Sequence, residues 1–339
     1  MWPYVKKQIE ELYRKHPEEA RDSFGEDPFE VKNILKYWVF SEKPEFHVIP
    51  TDTINIHIDK DALLRSGIML PKTIRHLKGE DLKDAIPDKL YIPLTDIRML
   101  TKVDLLMLEM LANCNWERPL YLAISVGSVS KLKFDNYFVQ EGLAFRFTPF
   151  DYKKWGDVGE NRLYAVDVER LYNNVMNRYK YGGLDTPGLY LDETTLRTCW
   201  YHRRLFAQLA KELIAQGDNE RAKKVLAYAE QVIPGYNVPE THESGSYDIA
   251  TAYAALGEKT KAVTLAVHLI AEAEDYINWA FSLKGNRIEM VRNDCIYKFW
   301  QWNQYNELLK KIDGEKYKES NRQFEEKYAL FAPTMNYKN

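Results

Sequence analysis

The chain has 339 residues and a formal net charge of −3. Its length accommodates one or two domains, and an apolar fraction of 45% is enough for a sizeable core. The slightly acidic balance argues against a nucleic-acid partner, which needs a basic surface. The sequence has no apolar run long enough to span a membrane. Its first residues lack the apolar core of a signal peptide, so none is expected.

The charged, proline-interrupted residues 1–45 predict short helices in an N-terminal arm. Beyond residue 46 apolar side chains begin to alternate. Ile54, Ile56 and Ile58 recur at every second position, which predicts a half-buried strand.

The rest of the region up to residue 150 mixes strands with helix. A strand is predicted at 90–94, where Pro93 favours a sheet edge. Further strands are predicted at 119–126 and 142–150, and a helix over 101–113. Residues 46–150 therefore predict a small mixed α/β layer.

Residues 151–332 are predicted to be helical. Apolar side chains at helical spacing predict a helix over 168–180, another that begins at Asp192, one long helix over 286–312, and a terminal helix over 315–331. The predicted fold class is therefore α+β and mostly α, with a small mixed α/β layer before a helical stack.

A near-repeat with a step of 40 residues lies inside this helical region. Residues 206–234 recur in weaker form at 246–274, with Gly217 matching Gly257 and Ala222 matching Ala262. Small residues at helix crossings and glycine turns are typical of the tetratricopeptide repeat, a helix pair of about 34 residues.

The step exceeds the usual length because about six residues are inserted at 235–240. An ordinary pair of helical hairpins with chance alanine spacing is the alternative interpretation.

Such a repeat stack predicts a groove that accepts a protein or peptide partner. The residues expected on its face are Arg204, Lys211, Tyr247 and Thr251. Alternatively, the chain's own C-terminal helices fill the groove, and the repeats only brace the preceding layer. The neighbouring run of His202, Arg203 and Arg204 could bind an anion, but structural packing is the favoured interpretation.

A second candidate is the turn after the predicted helix over 101–113. Asn115, Trp116 and Arg118 could form a recognition patch on this loop. The structural interpretation is that asparagine tolerates the left-handed backbone of a helix end, while Trp116 packs over the junction.

Acid–base chemistry is the third possibility. His57, His76, Asp96, Asp104 and Glu109 lie in the α/β layer, and a carboxylate with a histidine could transfer protons. If His57 and Asp96 converge, residues 46–150 would be a small hydrolase or sugar-binding domain. No spacing places these residues together, so turn caps and solvated faces are favoured.

The three cysteines fit neither a zinc motif nor a disulfide framework, and no metal or cofactor is predicted.

Several motifs resemble a known family. They are the stretch 104–123 with Asn115-Trp116 and Arg118-Pro119, the stretch 137–146 with Glu141-Gly142-Leu143-Ala144, and Tyr190-Leu191-Asp192-Glu193 with Arg197. Over about residues 45–275 the chain resembles the C-terminal soluble region of a family of Gram-negative bacterial membrane proteins. Their N-terminal half resembles membrane glycosyltransferases of the protein O-mannosyltransferase type.

The resemblance implies a periplasmic domain tethered to the inner membrane beside a membrane-embedded catalytic half. In such enzymes the acidic catalytic residue lies on a loop between membrane helices, and those helices are not in this chain. No catalytic residue is therefore carried over. We expect a non-enzymatic binding module that docks the acceptor or a partner.

Overall fold

The computed structural model describes residues 2–43, 47–97, 99–126, 132, 134–159, 164–283 and 287–335. The chain divides into two compact units, Met1–Asp167 (unit 1) and Val168–Asn339 (unit 2). Unit 1 mixes helices with two small sheets, and the described part of unit 2 is helical. The predicted fold class, α+β and mostly α, is confirmed.

The helices of unit 1 are α1 (Trp2–Lys15), α2 (Pro17–Phe24), α3 (Val31–Ile34, continued by a π-helical turn at Leu35–Val39), α4 (Lys60–Arg65), α5 (Gly79–Ala85) and α6 (Lys102–Asn113). Its strands are β1 (Thr53–His57), β2 (Lys89–Pro93), β3 (Tyr121–Ala123), β4 (Phe138–Gln140), β5 (Ala144–Phe147) and β6 (Ala165–Val166). β1 and β2 form an antiparallel pair. The second sheet has the order β3-β5-β4-β6 and is antiparallel except for the β4–β6 pair.

Local sequence explains these elements. Ile54 and Ile56 are buried in β1, as their alternation predicts. Thr101 begins α6 with a reciprocal capping box, because its hydroxyl accepts from the Asp104 backbone while the Asp104 carboxylate accepts from the Thr101 backbone. The alternation of apolar residues therefore accounts for β1, and the capping box accounts for the start of α6.

The structure divides the chain differently from the sequence-based boundaries at 45 and 150. The N-terminal residues join unit 1 rather than forming a separate arm, because α3 packs on α6 and β1, and Lys6 pairs with Asp52 at 3.2 Å. At the other end, β6 pairs in parallel with β4, with Ala165 opposite Val139. This pairing keeps residues 151–167 in unit 1.

The helices of unit 2 are α7 (Val168–Asn173, continued by a π-helical turn at Asn174–Arg178), α8 (Glu193–Ala215), α9 (Asn219–Val232), α10 (Ser246–Ala255), α11 (Lys259–Ser282), α12 (Arg287–Met290), α13 (Arg292–Ile312) and α14 (Gly314–Met335). The single helix predicted over 286–312 is therefore two helices, separated at Val291. Among the described helices, none is both long and apolar enough to cross a membrane.

Three helical hairpins, α8–α9, α10–α11 and α13–α14, pack in sequence along unit 2. Gly217 and Gly257 take the left-handed backbone conformation at the turns of the first two hairpins, with φ of 81° and 78°. Ala222 and Ala262 are both fully buried. The step of 40 residues thus relates two equivalent hairpins.

Candidate binding sites

The four predicted groove residues lie on two neighbouring helices of unit 2. Arg204 and Lys211 are exposed on α8, while Tyr247 and Thr251 are half-buried on α10. The Arg204 guanidinium donates to the backbone oxygen of Glu243, with Nε at 2.6 Å. The Thr251 hydroxyl bonds locally to the carbonyl of Asp248. Of these four, Arg204 and Lys211 are the most accessible to a partner.

Arg204 also fixes the backbone that leads into α10. Gly245 has a φ of 87°, and a Cβ built there would lie 2.9 Å from Cγ of Arg204. Because this position requires both a left-handed backbone and no side chain, glycine is the residue that fits. The Arg204 side chain and the start of α10 are therefore held in one arrangement.

Tyr247 lies in an aromatic cluster that the sequence reading missed. Its members are His242, Tyr247, Tyr297, Trp300 and Tyr305. The Tyr247 ring stacks on His242 at a centroid distance of 5.7 Å and tilts against Tyr305 at 5.5 Å. α13 supplies three of the five rings. α13, one of the helices near the C-terminus, thus covers part of the predicted groove face and extends the remainder.

Two rings of this aromatic cluster face solvent. Tyr297 and Trp300 are 45% and 49% exposed, and they stack nearly parallel at 5.5 Å with 13° between their planes. Their spacing of three residues places them on one face of α13. That spacing is the sequence signal that could have identified them. Exposed, mutually ordered aromatic rings are typical anchors of a binding surface.

Polar groups lie beside these rings. The Gln301 amide donates to a carboxylate oxygen of Glu243 at 3.0 Å. The Lys298 ammonium lies 4.0 Å from Glu243 and 3.7 Å from Glu272. Burial raises the pKa of Glu272, partly offset by Lys298. For Glu243 burial acts in the same direction, but backbone hydrogen bonding and Lys298 outweigh it and lower the pKa. Glu243 therefore carries the more firmly held negative charge.

A cavity of about 360 Å³ lies between α9, α10 and α11. Its apolar lining is Leu226, Ala229, Ile233, Ile249 and Leu265. This volume is within the usual range of small-molecule pockets. The cavity is a second candidate site in unit 2, and it was not predicted from the sequence.

One ion pair on the cavity wall is complete. The Lys261 ammonium lies 2.9 Å from each carboxylate oxygen of Glu230, and the Tyr253 hydroxyl donates to the same carboxylate at 2.5 Å. Burial first, and then the hydrogen bond to the Glu230 carboxylate and its charge, raise the pKa of Tyr253. The tyrosine therefore remains a neutral donor, and the charges of Glu230 and Lys261 cancel.

Arg203 is a buried cation on the same wall, with 3% of its surface exposed. Its two terminal nitrogens donate to the carbonyls of Ile233, Val238 and Pro239 and to the Ser244 hydroxyl, at 2.5 to 3.1 Å. These bonds hold the connection between α9 and α10. Burial lowers the pKa of Arg203 to about 10, against the opposing effect of Glu240.

The loop patch of Asn115, Trp116 and Arg118 is divided by the structure. Trp116 is only 6% exposed, its indole nitrogen donates to the His57 carbonyl at 2.8 Å, and its ring stacks with Phe147. Asn115 and Trp116 both have positive φ, at 48° and 61°. Of the three patch residues, Asn115 and Arg118 are exposed, and the Asn115 side chain accepts from the Lys32 ammonium at 2.9 Å.

The adjacent cavity is too small for a ligand. Its volume is about 10 Å³, with Trp116, Arg118 and Cys114 among its lining residues. A space of this size holds at most one water molecule. The loop ends α6 and places the Trp116 ring in the core of unit 1.

The proposed acid–base pair does not assemble. His57 pairs with Lys89 at one end of the β1–β2 hairpin, whereas Asp96 follows Pro93, which pairs with Thr53 at the other end. Four residue-to-residue steps along β1, each of about 3.3 Å, separate these ends by roughly 13 Å. Asp104 is buried as the capping partner of Thr101, His76 is exposed and Glu109 is half-buried. Within the described ranges, no group of three His, Cys, Asp or Glu residues could hold a metal ion.

Comparison with models of protein families gives a match over the first half of the chain. Residues 3–169 match the model of the family described as TMEM260-associated domain 2, a family of domains of unknown function. No curated protein and no solved structure matches the chain. The matched segment corresponds closely to unit 1, Met1–Asp167. Unit 1 is therefore similar to the TMEM260-associated domain 2 family.

Proposed function

We propose that this chain is a non-catalytic binding module, in which the hairpins of unit 2 form a stack of the tetratricopeptide type that docks a protein or peptide segment. The exposed, stacked pair of Tyr297 and Trp300 carries this proposal. Large rings that are already ordered lose little conformational entropy on binding, which makes them effective anchors.

The charges around this pair define the peptide that fits. Arg204 and Lys211 are exposed cations on α8, and the aromatic cluster on α10 and α13 continues the surface. A segment with an apolar or aromatic residue for the Tyr297–Trp300 pair and acidic residues for the two cations matches this pattern. Docking is expected to weaken as salt is added, because exposed ion pairs are screened.

A peptide selection tests the proposal. Short random peptides displayed on phage are selected on the full chain, and the enriched peptides are titrated against Trp300→Ala and Trp279→Ala. Trp279 is a matched control: it is also 49% exposed, and it packs beside Tyr276 on α11. We expect Trp300→Ala to weaken binding by about tenfold or more, since loss of an interface tryptophan typically costs at least ~2 kcal/mol. Failure to enrich peptides, or equal loss with both variants, would contradict the proposal.

We further propose that the module works at the periplasmic face of the inner membrane, beside a membrane-embedded catalytic half in the same or a partner chain. The resemblance of the 104–123 and 137–146 stretches and the match of unit 1 to a TMEM260-associated family support this. So does the outer face of α6, where Val103, Leu106 and Met110 are about half exposed. An apolar face of this kind is typical of a protein interaction surface.

Photo-crosslinking tests this second part. A photoreactive residue replaces Met110 in the full chain, and crosslinking is done in cells with their membranes intact. We expect adducts with a multi-span membrane protein. Adducts with none, or the same adducts from a photoreactive residue at the exposed position Glu220 of unit 2, would argue against the α6 face as the contact.

The hydrolase or sugar-binding alternative for residues 46–150 depended on His57 and Asp96 meeting. The β1–β2 register holds them at opposite ends of a hairpin. No observation in unit 1 favours this alternative over docking.

A further inference from the structure

The cavity between α9, α10 and α11 has two charged groups that lack an ionic partner. Arg203 forms no ion pair with any described carboxylate, since the bonds of its terminal nitrogens go to three carbonyls and one hydroxyl. Glu240, also on the cavity wall, forms neither a hydrogen bond nor an ion pair within the described part of the chain. Arg203 is buried, whereas Glu240 is half-buried, and a buried charge without an ionic partner is costly.

Arg203 and Glu240 do not form an ion pair with each other. They interact electrostatically, but no contact within 4.0 Å joins the Arg203 guanidinium to the Glu240 carboxylate among the described residues. Arg203 has five N–H donors, and its four recorded bonds leave Nε–H unused. The cavity thus offers one free cationic donor and one free anionic acceptor, besides the neutralised Glu230–Lys261 pair.

The remaining lining sets the size and character of a ligand. Leu226, Ile249 and Leu265 provide an apolar surface, and Thr260, Thr264 and His268 follow one another at four-residue spacing on one face of α11. With two cations and two carboxylates on its wall, the cavity favours neither a net anion nor a net cation. A ligand with both charges and an apolar side chain matches this lining.

We propose that this cavity binds a zwitterionic ligand of amino-acid or dipeptide size, with its carboxylate directed towards Arg203 and Lys261 and its ammonium group towards Glu240. Nothing in this assignment depends on the peptide-docking surface. Tyr247 and Thr251 lie roughly 160° around α10 from Ile249 and Tyr253, because each residue turns a helix by about 100°. The cavity and the aromatic surface therefore lie on opposite sides of α10.

The insertion at 235–240 contributes one residue, Glu240, to the lining of this cavity. Glu240 is the last residue of the insertion. Arg203 donates to the carbonyls of Val238 and Pro239 inside it and to that of Ile233 just before it. In repeat proteins, insertions map to loops that often carry the binding face. The departure from the usual repeat length thus has a direct structural consequence, because it supplies the free carboxylate.

Four related probes test the assignment by isothermal titration calorimetry on the full chain. L-Leucine carries both charges, leucinamide only the ammonium, N-acetylleucine only the carboxylate, and N-acetylleucinamide neither. We expect leucine to bind, removal of either charge to weaken binding by about tenfold or more, and the uncharged probe to bind weakest. Equal binding of N-acetylleucinamide and leucine, or saturable binding by none of the four, would overturn the proposal.

Variants locate the site. Glu240→Gln is expected to weaken leucine and leucinamide but to leave N-acetylleucine unchanged, because the latter has no ammonium group for this carboxylate. Glu220→Gln, an exposed change on α9 away from the cavity, should leave all four affinities unchanged. Equal effects of the two variants would contradict the assignment.

Thr264→Phe provides an independent check. The residue is exposed at the cavity mouth, so a larger side chain there occludes the cavity without entering the core. We expect this variant to keep the wild-type melting temperature and lose leucine binding. Unchanged leucine binding would place the site elsewhere and overturn the proposal.

Discussion

Two tryptophans of this chain, Trp116 in unit 1 and Trp300 in unit 2, have opposite environments. Trp116 is 6% exposed, with its indole N–H bonded to a strand carbonyl and its ring against Phe147. Trp300 is 49% exposed and stacks on a ring that is itself half exposed. Both lie within two residues of a charged side chain, Glu117 for Trp116 and Lys298 for Trp300. A conspicuous residue type therefore indicates a binding site only when the fold leaves its surface and polar groups without intramolecular partners.

The largest expected effect contrasts these two residues in stability. Trp116→Ala removes a large buried side chain and leaves the His57 carbonyl without its donor, so we expect a loss of about 4 kcal/mol. Trp300→Ala should change stability by less than about 1 kcal/mol, since its ring is half in solvent. Urea denaturation of the full chain, followed by circular dichroism, measures both. Similar losses for the two variants would refute the contrast.

A neighbouring pair within unit 2 sharpens the same point. Arg203 and Arg204 are adjacent, but Arg203 holds four acceptors of the α9–α10 connection inside the protein, whereas Arg204 is exposed. Arg203→Ala is expected to cost about 3 kcal/mol of unfolding free energy, because it leaves buried carbonyls unpaired. Arg204→Ala should cost well under half as much in the same urea titration. Equal costs would mean that the hydrogen bonds of Arg203 to the α9–α10 connection contribute little to the free energy of unfolding.

The third comparison concerns two glycines with nearly equal backbone angles. Gly245 and Gly257 have φ of 87° and 78°, but only Gly245 has a side chain, that of Arg204, where a Cβ would lie. Both alanine variants incur the cost of a left-handed backbone, of order 1 kcal/mol. Gly245→Ala should lose roughly a further 1 kcal/mol unless Arg204 moves. Testing each in an Arg204→Ala background would remove the difference if the contact is its cause.

The sequence predicted the periodic parts of this fold well, and for physical reasons. Period-two burial in β1, the Thr101 cap of α6 and the paired glycine turns are local signals, each recorded within a few neighbouring residues. The insertion at 235–240 was visible too, as an excess over the usual repeat length. The sequence did not predict that a residue of this insertion, Glu240, lines a cavity.

The sites depend on contacts between distant residues, which local patterns do not encode. Glu240 lines the cavity, and the loop that carries it is held by hydrogen bonds from Arg203, which lies 37 positions earlier in the sequence. His242 joins Tyr297 and Trp300 across more than 50 residues of sequence. Asp104 was a candidate acid because a carboxylate looks the same in sequence whether it caps a helix or transfers a proton. Its capping bonds to Thr101 assign it to the first role.

The smallest expected effect compares the second helices of the two repeated hairpins. Asp218 caps α9, and its carboxylate accepts from the Arg221 backbone at 3.1 Å. Glu258 occupies the same position before α11 and makes no such bond. Asp218→Ala should therefore cost about 1 kcal/mol and Glu258→Ala close to nothing. Asp218 also pairs with Arg221, so Asp218→Asn, which keeps a capping oxygen and loses the charge, separates the two contributions. If Asp218→Asn is as destabilising as Asp218→Ala, the ion pair rather than the cap distinguishes the two hairpins.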